Sequence, residues 1–104
     1  MSVVVDLADL PEQLKAFDRG YLLTAKDGLV KAVSVRATAE DGALRVPAPG
    51  RGSVANVGAN PSVTLLFPPL ENPGMTLLVD GTAAADGDDV RVTPAGAVLH
   101  KPVS

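Results

Sequence analysis

The sequence predicts a mainly β fold: a small six-stranded antiparallel barrel with one N-terminal helix, one short helix inserted midway and a short helical turn near the C-terminus. Three observations carry this. Short runs rich in Val, Leu, Thr and Ala recur along the chain, separated by Asp-Gly, Gly and Pro punctuation. Asp27-Gly28 and Asp41-Gly42 are two-residue hairpin signals, joining strands that must lie antiparallel. The stretch Pro47-Ala-Pro-Gly-Arg-Gly-Ser53 breaks the strand pattern and opens a helix.

Residues 1–8 suit a short strand or an arm. Asp9-Leu-Pro-Glu12 reads as a helix start, with Asp9 as cap, Pro11 in the first turn and Glu12 closing a capping box. Leu10, Leu14 and Phe17 form one apolar stripe, and Gly20 stops the helix. Gly20 to Lys26 is the first strand. Leu29 to Glu40 is a long second strand, in which Val33 and Val35 alternate with Ser34 and Arg36. Ala43 to Val46 is the third, ended by Pro47 and Pro49. Ser53 reads as the cap of the inserted helix, in which Val54 and Val57 share a face. Gly58 and Asn60-Pro61 end it. Ser62 to Phe67 is the fourth strand, and residues 68–74 are an irregular loop. Met75 to Asp86 is the fifth strand, with Gly81 marking a bulge or close approach. Val90 to Val92 is a short sixth. Thr93-Pro94 starts a helical turn through Leu99, and the rest is a tail.

Composition narrows the function. With 104 residues the chain makes one domain, 1–104, without a linker. Its only aromatics are Phe17, Tyr21 and Phe67, so the core lacks bulk and a dimer interface would add buried area. The net charge is −3 with scattered Lys and Arg, which excludes a nucleic-acid patch. The chain has no Cys and a single His, His100, which disfavours thiol chemistry and a His-based metal site. The start lacks a basic signal-peptide region and no apolar run reaches membrane-spanning length, so a cytoplasmic, membrane-free protein is the expectation. No Ser-His-Asp arrangement or Gly-x-Ser-x-Gly elbow precedes a helix. The carboxylates Asp27, Asp41, Asp86, Asp88 and Asp89 are turn formers, and Asp80 is a solvent-facing strand residue.

What remains is basic. Lys31 and Arg36 bracket a strand, five residues apart, on opposite faces if the strand is ideal. Arg51 and Ser53 stand at the start of the inserted helix, whose free N–H groups suit an anion such as a phosphate. The same residues also suit ordinary edge-strand charge and a plain chain reversal.

Lys31 to Pro69 resembles the core of the pyridoxamine 5′-phosphate oxidase family of FMN-binding split barrels. The telling run is Asn60-Pro-Ser-Val-Thr-Leu-Leu-Phe-Pro68, similar to that family's Asn-Pro-x-Val-Ser-Leu-Leu-Phe-Pro. Upstream, Lys31-Ala-Val-Ser-Val-Arg36 is similar to the strand that holds FMN, basic at both ends. The resemblance implies a split barrel in which Lys31, Ala32, Val33, Ser34 and Arg36 line the flavin. Val46 and Pro47 fall where the family uses the next strand. Gly52 and Ser53 replace a pair of basic phosphate ligands, a departure for which Arg51 and the Ser53 hydroxyl substitute. Thr76 falls at a polar cofactor contact. Two subunits build each site, so a homodimer is implied, with a small-molecule cofactor as its other partner. The family's basic, aromatic-bearing contact has no counterpart after Asp86, so the chain is similar to small, minimal members of the superfamily. The implied function is FMN-dependent hydride transfer. A deazaflavin-dependent reductase, or a non-enzymatic barrel dimer with or without a cofactor, is the alternative.

Overall fold

The computed structural model describes residues 1–102. Its strands are β1 (Ser2–Val5), β2 (Gly20–Lys26), β3 (Leu29–Val35), β4 (Thr38–Glu40), β5 (Ala43–Val46), β6 (Ser62–Phe67), β7 (Thr76–Asp86) and β8 (Asp89–His100). The helices are α1 (Leu10–Leu14), preceded by a 3-10 turn at Leu7–Asp9, and α2 (Arg51–Ala59). The mainly β, antiparallel expectation holds, but the described residues form eight strands in place of six.

The sheet order is β3-β2-β6-β7-β8-β5-β4, with β1 added to the far half of β8. The two ends of this path, β3 and β4, are neighbours in sequence. The expected long strand from Leu29 to Glu40 breaks at Arg36-Ala37: its first part pairs with β2 and its second with β5. The sheet thus curls until its edges are one short link apart, yet no ladder among the described residues joins them. It is an open, barrel-like sheet.

Local chemistry explains most elements. At both Asp-Gly hairpins the two turn residues have positive φ (53° and 77°, then 49° and 77°), the turn that matches strand twist. Inward residues Leu22, Leu65, Leu77, Val79, Val46, Val90 and Val92 fill the interior and are fully buried. Gly20 is required by a close approach: a Cβ there would stand 2.5 Å from the Phe67 ring. Phe17 in turn packs on Phe67, with ring centroids 6.3 Å apart.

Three local expectations are corrected. The first helix is shorter than its apolar stripe: after Leu14 the chain continues only in tight i→i+3 turns to Phe17. Asp9 caps nothing with its side chain; Asp6 does, its carboxylate accepting from the Ala8 N–H at 3.0 Å. Finally, Thr93 to Leu99 is strand, not a helical turn. The β7–β8 ladder runs from Asp86–Asp89 to Thr76–His100, with a bulge between Asp80 and Gly81. Gly81 pairs with Pro94 and Asp80 with Gly96, leaving Ala95 over. The bulge removes the need for a Pro94 N–H and switches the buried parity from Val90 and Val92 to Ala97.

Candidate cofactor-binding site

The inserted helix begins one residue after Gly50, whose φ of 106° only glycine adopts freely. Gly50 is the cap, and Ser53 is not. Ser53 lies inside the first turn, 1% exposed, and its hydroxyl has no hydrogen-bond partner among the described residues. A buried hydroxyl without a partner is costly, which singles this position out.

Lys31 lies over the same turn. A Cβ built on Gly52 would meet Lys31 Nζ at 2.0 Å, so the glycine makes the room in which the ammonium sits. Two sources of positive potential are thereby superposed: a lysine, and the N–H end of a helix. Alone they repel. An anion between them satisfies both. The residues present therefore fit a phosphate group.

Asn56, one turn on from Gly52, faces the same way. Its side-chain amide donates to the hydroxyl of buried Thr24 at 3.0 Å, and Thr24 is the cross-strand partner of Lys31. Lys31 and Asn56, with Lys26, Asp27, Leu29 and Val30, line a recess of about 320 Å³ beside β3. Thr24 and Asn56 escaped the sequence reading. The usable signal was the four-residue spacing from Gly52 to Asn56.

Arg51 takes the other flank of the helix. It lines a separate cavity of about 460 Å³ with Ala48, Gly50, Val54, Ala55 and Asp88. The structure brings Lys31, Gly52 and Ser53 together at the first turn, with Arg51 at its outer side.

The remaining strand residues are dispersed. Among the described residues β3 pairs with β2 alone, which leaves its other edge free of them, and Ala32 and Ser34 are exposed along it while Val33 is half-buried. The Ser34 hydroxyl accepts from Arg19 Nε at 2.9 Å. Arg36, beyond the end of β3, forms an ion pair with Asp18. Val46 is buried in the core, and Pro47 is exposed at the start of the loop that leads to α2. Thr76 pairs with His100 at one end of β7, while Val63, the inward β6 residue nearest Thr24, pairs with Gly81 five residues further along. That is about 17 Å of strand, so Thr76 lies at the opposite end of the sheet from Lys31.

A half-buried cluster supports the loop before the helix. Arg45 donates to Glu40 at 2.9 Å, to Asp86 at 2.9 Å and to Asp89 at 3.0 Å. The hydrogen bond from Arg45 holds the Glu40 carboxyl below its ordinary value. The Asp89 carboxyl is lowered chiefly by the Ala48 backbone N–H, with Arg45 adding to it. The Arg45 guanidinium is raised in turn by Glu40, Asp86 and Asp89. Among the described residues there is no group of His, Cys and carboxylates placed to hold a metal ion. No helix there is long and apolar enough to cross a membrane.

No protein-family model matches the chain, and no curated protein matches it. Solved structures do. A protein from Listeria innocua named as a candidate pyridoxamine 5′-phosphate oxidase superposes with a TM-score of 0.73 at 15% identity, over 89% of this chain and 96% of its own. A FAD-binding protein from Mesorhizobium loti gives a TM-score of 0.71 at 18% identity, over 97% and 98%. An F420 reductase gives 0.62 at 18% identity, over 88% and 92%. At such identities the likeness concerns the fold: this chain has the split-barrel fold of pyridoxamine 5′-phosphate oxidase-like and flavin-binding proteins.

Proposed function

We propose that the chain is a flavin-binding protein, with FMN as its cofactor and hydride transfer as its chemistry, working as a homodimer. The observation that carries the reading is Lys31 Nζ packed against Gly52 at the N-terminus of α2, in the same turn that carries the unpartnered Ser53 hydroxyl. Lys31, the first-turn N–H groups and Ser53 would hold the cofactor phosphate, with Arg51 adding charge from the outer side. The free edge of β3, from Lys31 to Ser34, offers backbone donors and acceptors to the ring. A bound flavin supplies the redox chemistry, and the protein supplies orientation and exclusion of water.

The dimer has a natural surface. Tyr21, Leu66, Leu78, Val98 and Val4 stand in one cross-strand row over β2, β6, β7, β8 and β1. Each is partly or wholly exposed, Val4 at 82%. A continuous apolar row on one sheet face suits a second copy of the same face. A deazaflavin is the second reading, favoured by the fold shared with the F420 reductase.

The test is a titration with FMN, and separately with a deazaflavin, followed by fluorescence. Tight FMN uptake by the wild type, weakened about tenfold in Lys31→Met, supports the proposal. Uptake of the deazaflavin alone selects the second reading. Uptake of neither overturns both.

A further inference from the structure

We infer that Asp89 is a positioning residue for the anion seat at α2, a role that rests on the flavin reading for its function but not for its geometry. Asp89 is the first residue of β8 and is half-buried. One carboxylate oxygen accepts from the Ala48 N–H at 3.0 Å, and the other accepts from Arg45 Nη1 at 3.0 Å. Ala48 holds φ at 40°, a left-handed conformation that a residue with a Cβ rarely adopts. Two residues later Gly50 stands at 106° and its carbonyl accepts from the Val54 N–H at 3.1 Å, closing the first turn.

A strained alanine needs a partner that outweighs its alternatives. The Asp89 carboxylate is that partner, through the oxygen that accepts from Ala48 N–H. Its other oxygen pairs with Arg45, itself held by Glu40 and Asp86, and that pairing adds stability without setting the Ala48 bond. The bond to Ala48 N therefore selects the path from Pro47 to Gly50. That path sets where the N–H groups of Arg51, Gly52 and Ser53 point. Asp89 touches no part of the seat, yet it fixes the direction of the seat's donors.

Two substitutions separate this role from simple stability. Asp89→Ala removes both bonds. Asp89→Asn keeps an acceptor for Ala48 N–H and loses the charge that pairs with Arg45. Both variants are expected to melt lower than wild type. Only Asp89→Ala is expected to lose FMN affinity, by about tenfold, with Asp89→Asn near wild type. Equal loss in the two variants, or loss in neither, overturns the role. Should Asp89→Ala fail to fold, Arg45→Met is the companion: it leaves the Ala48 bond intact and should lower the melting temperature while keeping FMN affinity. Loss of affinity there also overturns the role. Should the wild type take up no FMN, the flavin reading fails separately. The amide resonances of Gly50 to Val54 in ligand-free protein then decide: displaced in Asp89→Ala but not in Asp89→Asn supports positioning, and unchanged in both overturns it.

Discussion

Gly52 and Ser53 are each a poor choice for helix stability and a good one for an anion seat. Glycine in a helix costs about 1 kcal/mol relative to alanine, and a buried hydroxyl without a partner costs about 1 to 3 kcal/mol. The two positions therefore predict opposite movements of stability and binding. Ser53→Ala should raise the melting temperature of the ligand-free protein and weaken FMN uptake. Gly52→Ala places a Cβ in the space of Lys31 Nζ, a flexible group that can swing aside. It should leave the melting temperature level or higher while lowering FMN affinity. Paired melting curves and titrations check both, and a loss of stability together with binding would point to packing damage instead. The sequence already singled out these residues as a helix start suited to an anion. It misplaced the cap because Gly50, not Ser53, has the non-helical backbone, and that choice depends on the loop held by Asp89.

Among the elements, the β7–β8 hairpin is the one whose sequence pattern misleads. Thr93-Pro94 has the appearance of a helix start, and Gly96 breaks the aliphatic run. The bulge at Asp80 and Gly81 turns this into strand by giving Pro94 a place without a donor and by resetting which residues face inward. Gly81 makes that possible, since a Cβ would lie 2.3 Å from the Thr93 carbonyl oxygen, a rigid backbone atom. Gly81→Ala should cost about 2 kcal/mol or more and lower the melting temperature by roughly 10 °C. Thermal unfolding by circular dichroism reads this directly. The hairpins at Asp27 and Asp41, by contrast, were legible because an Asp-Gly pair needs only its own two residues to set positive φ.

At the scale of the whole molecule, charge and the outer sheet face carry the predictions. Glu40 and Asp89 have carboxyls held below their ordinary values, so the folded chain binds fewer protons there than the unfolded chain. Their stabilising effect is present above the unfolded carboxyl values and is lost as pH falls through the folded ones, below about pH 4. Melting temperature should drop as pH falls below the ordinary carboxyl range of about 4, and Arg45→Met should flatten that slope as well as lowering the curve at neutral pH. The cross-strand row predicts a second effect. Leu78→Lys, at the middle of the row, should turn a dimer into a monomer in sedimentation with little change in far-ultraviolet dichroism. A wild-type monomer would remove the homodimer from the proposal.

By itself the sequence determined the class of fold, the antiparallel hairpins, the place of the inserted helix and the basic character of its first turn. These rest on short-range preferences: alternation, turn chemistry and breakers act within a few residues. Tertiary structure alone decided the break of the long strand at Arg36-Ala37, the addition of β1 to β8 and the parity switch at the bulge. It also decided which basic group meets the helix: Lys31 rests on Gly52, while Arg36 is taken up by Asp18. Those outcomes depend on which strands become neighbours across the sheet, and pairing between residues far apart in the chain leaves no mark in either partner's local sequence.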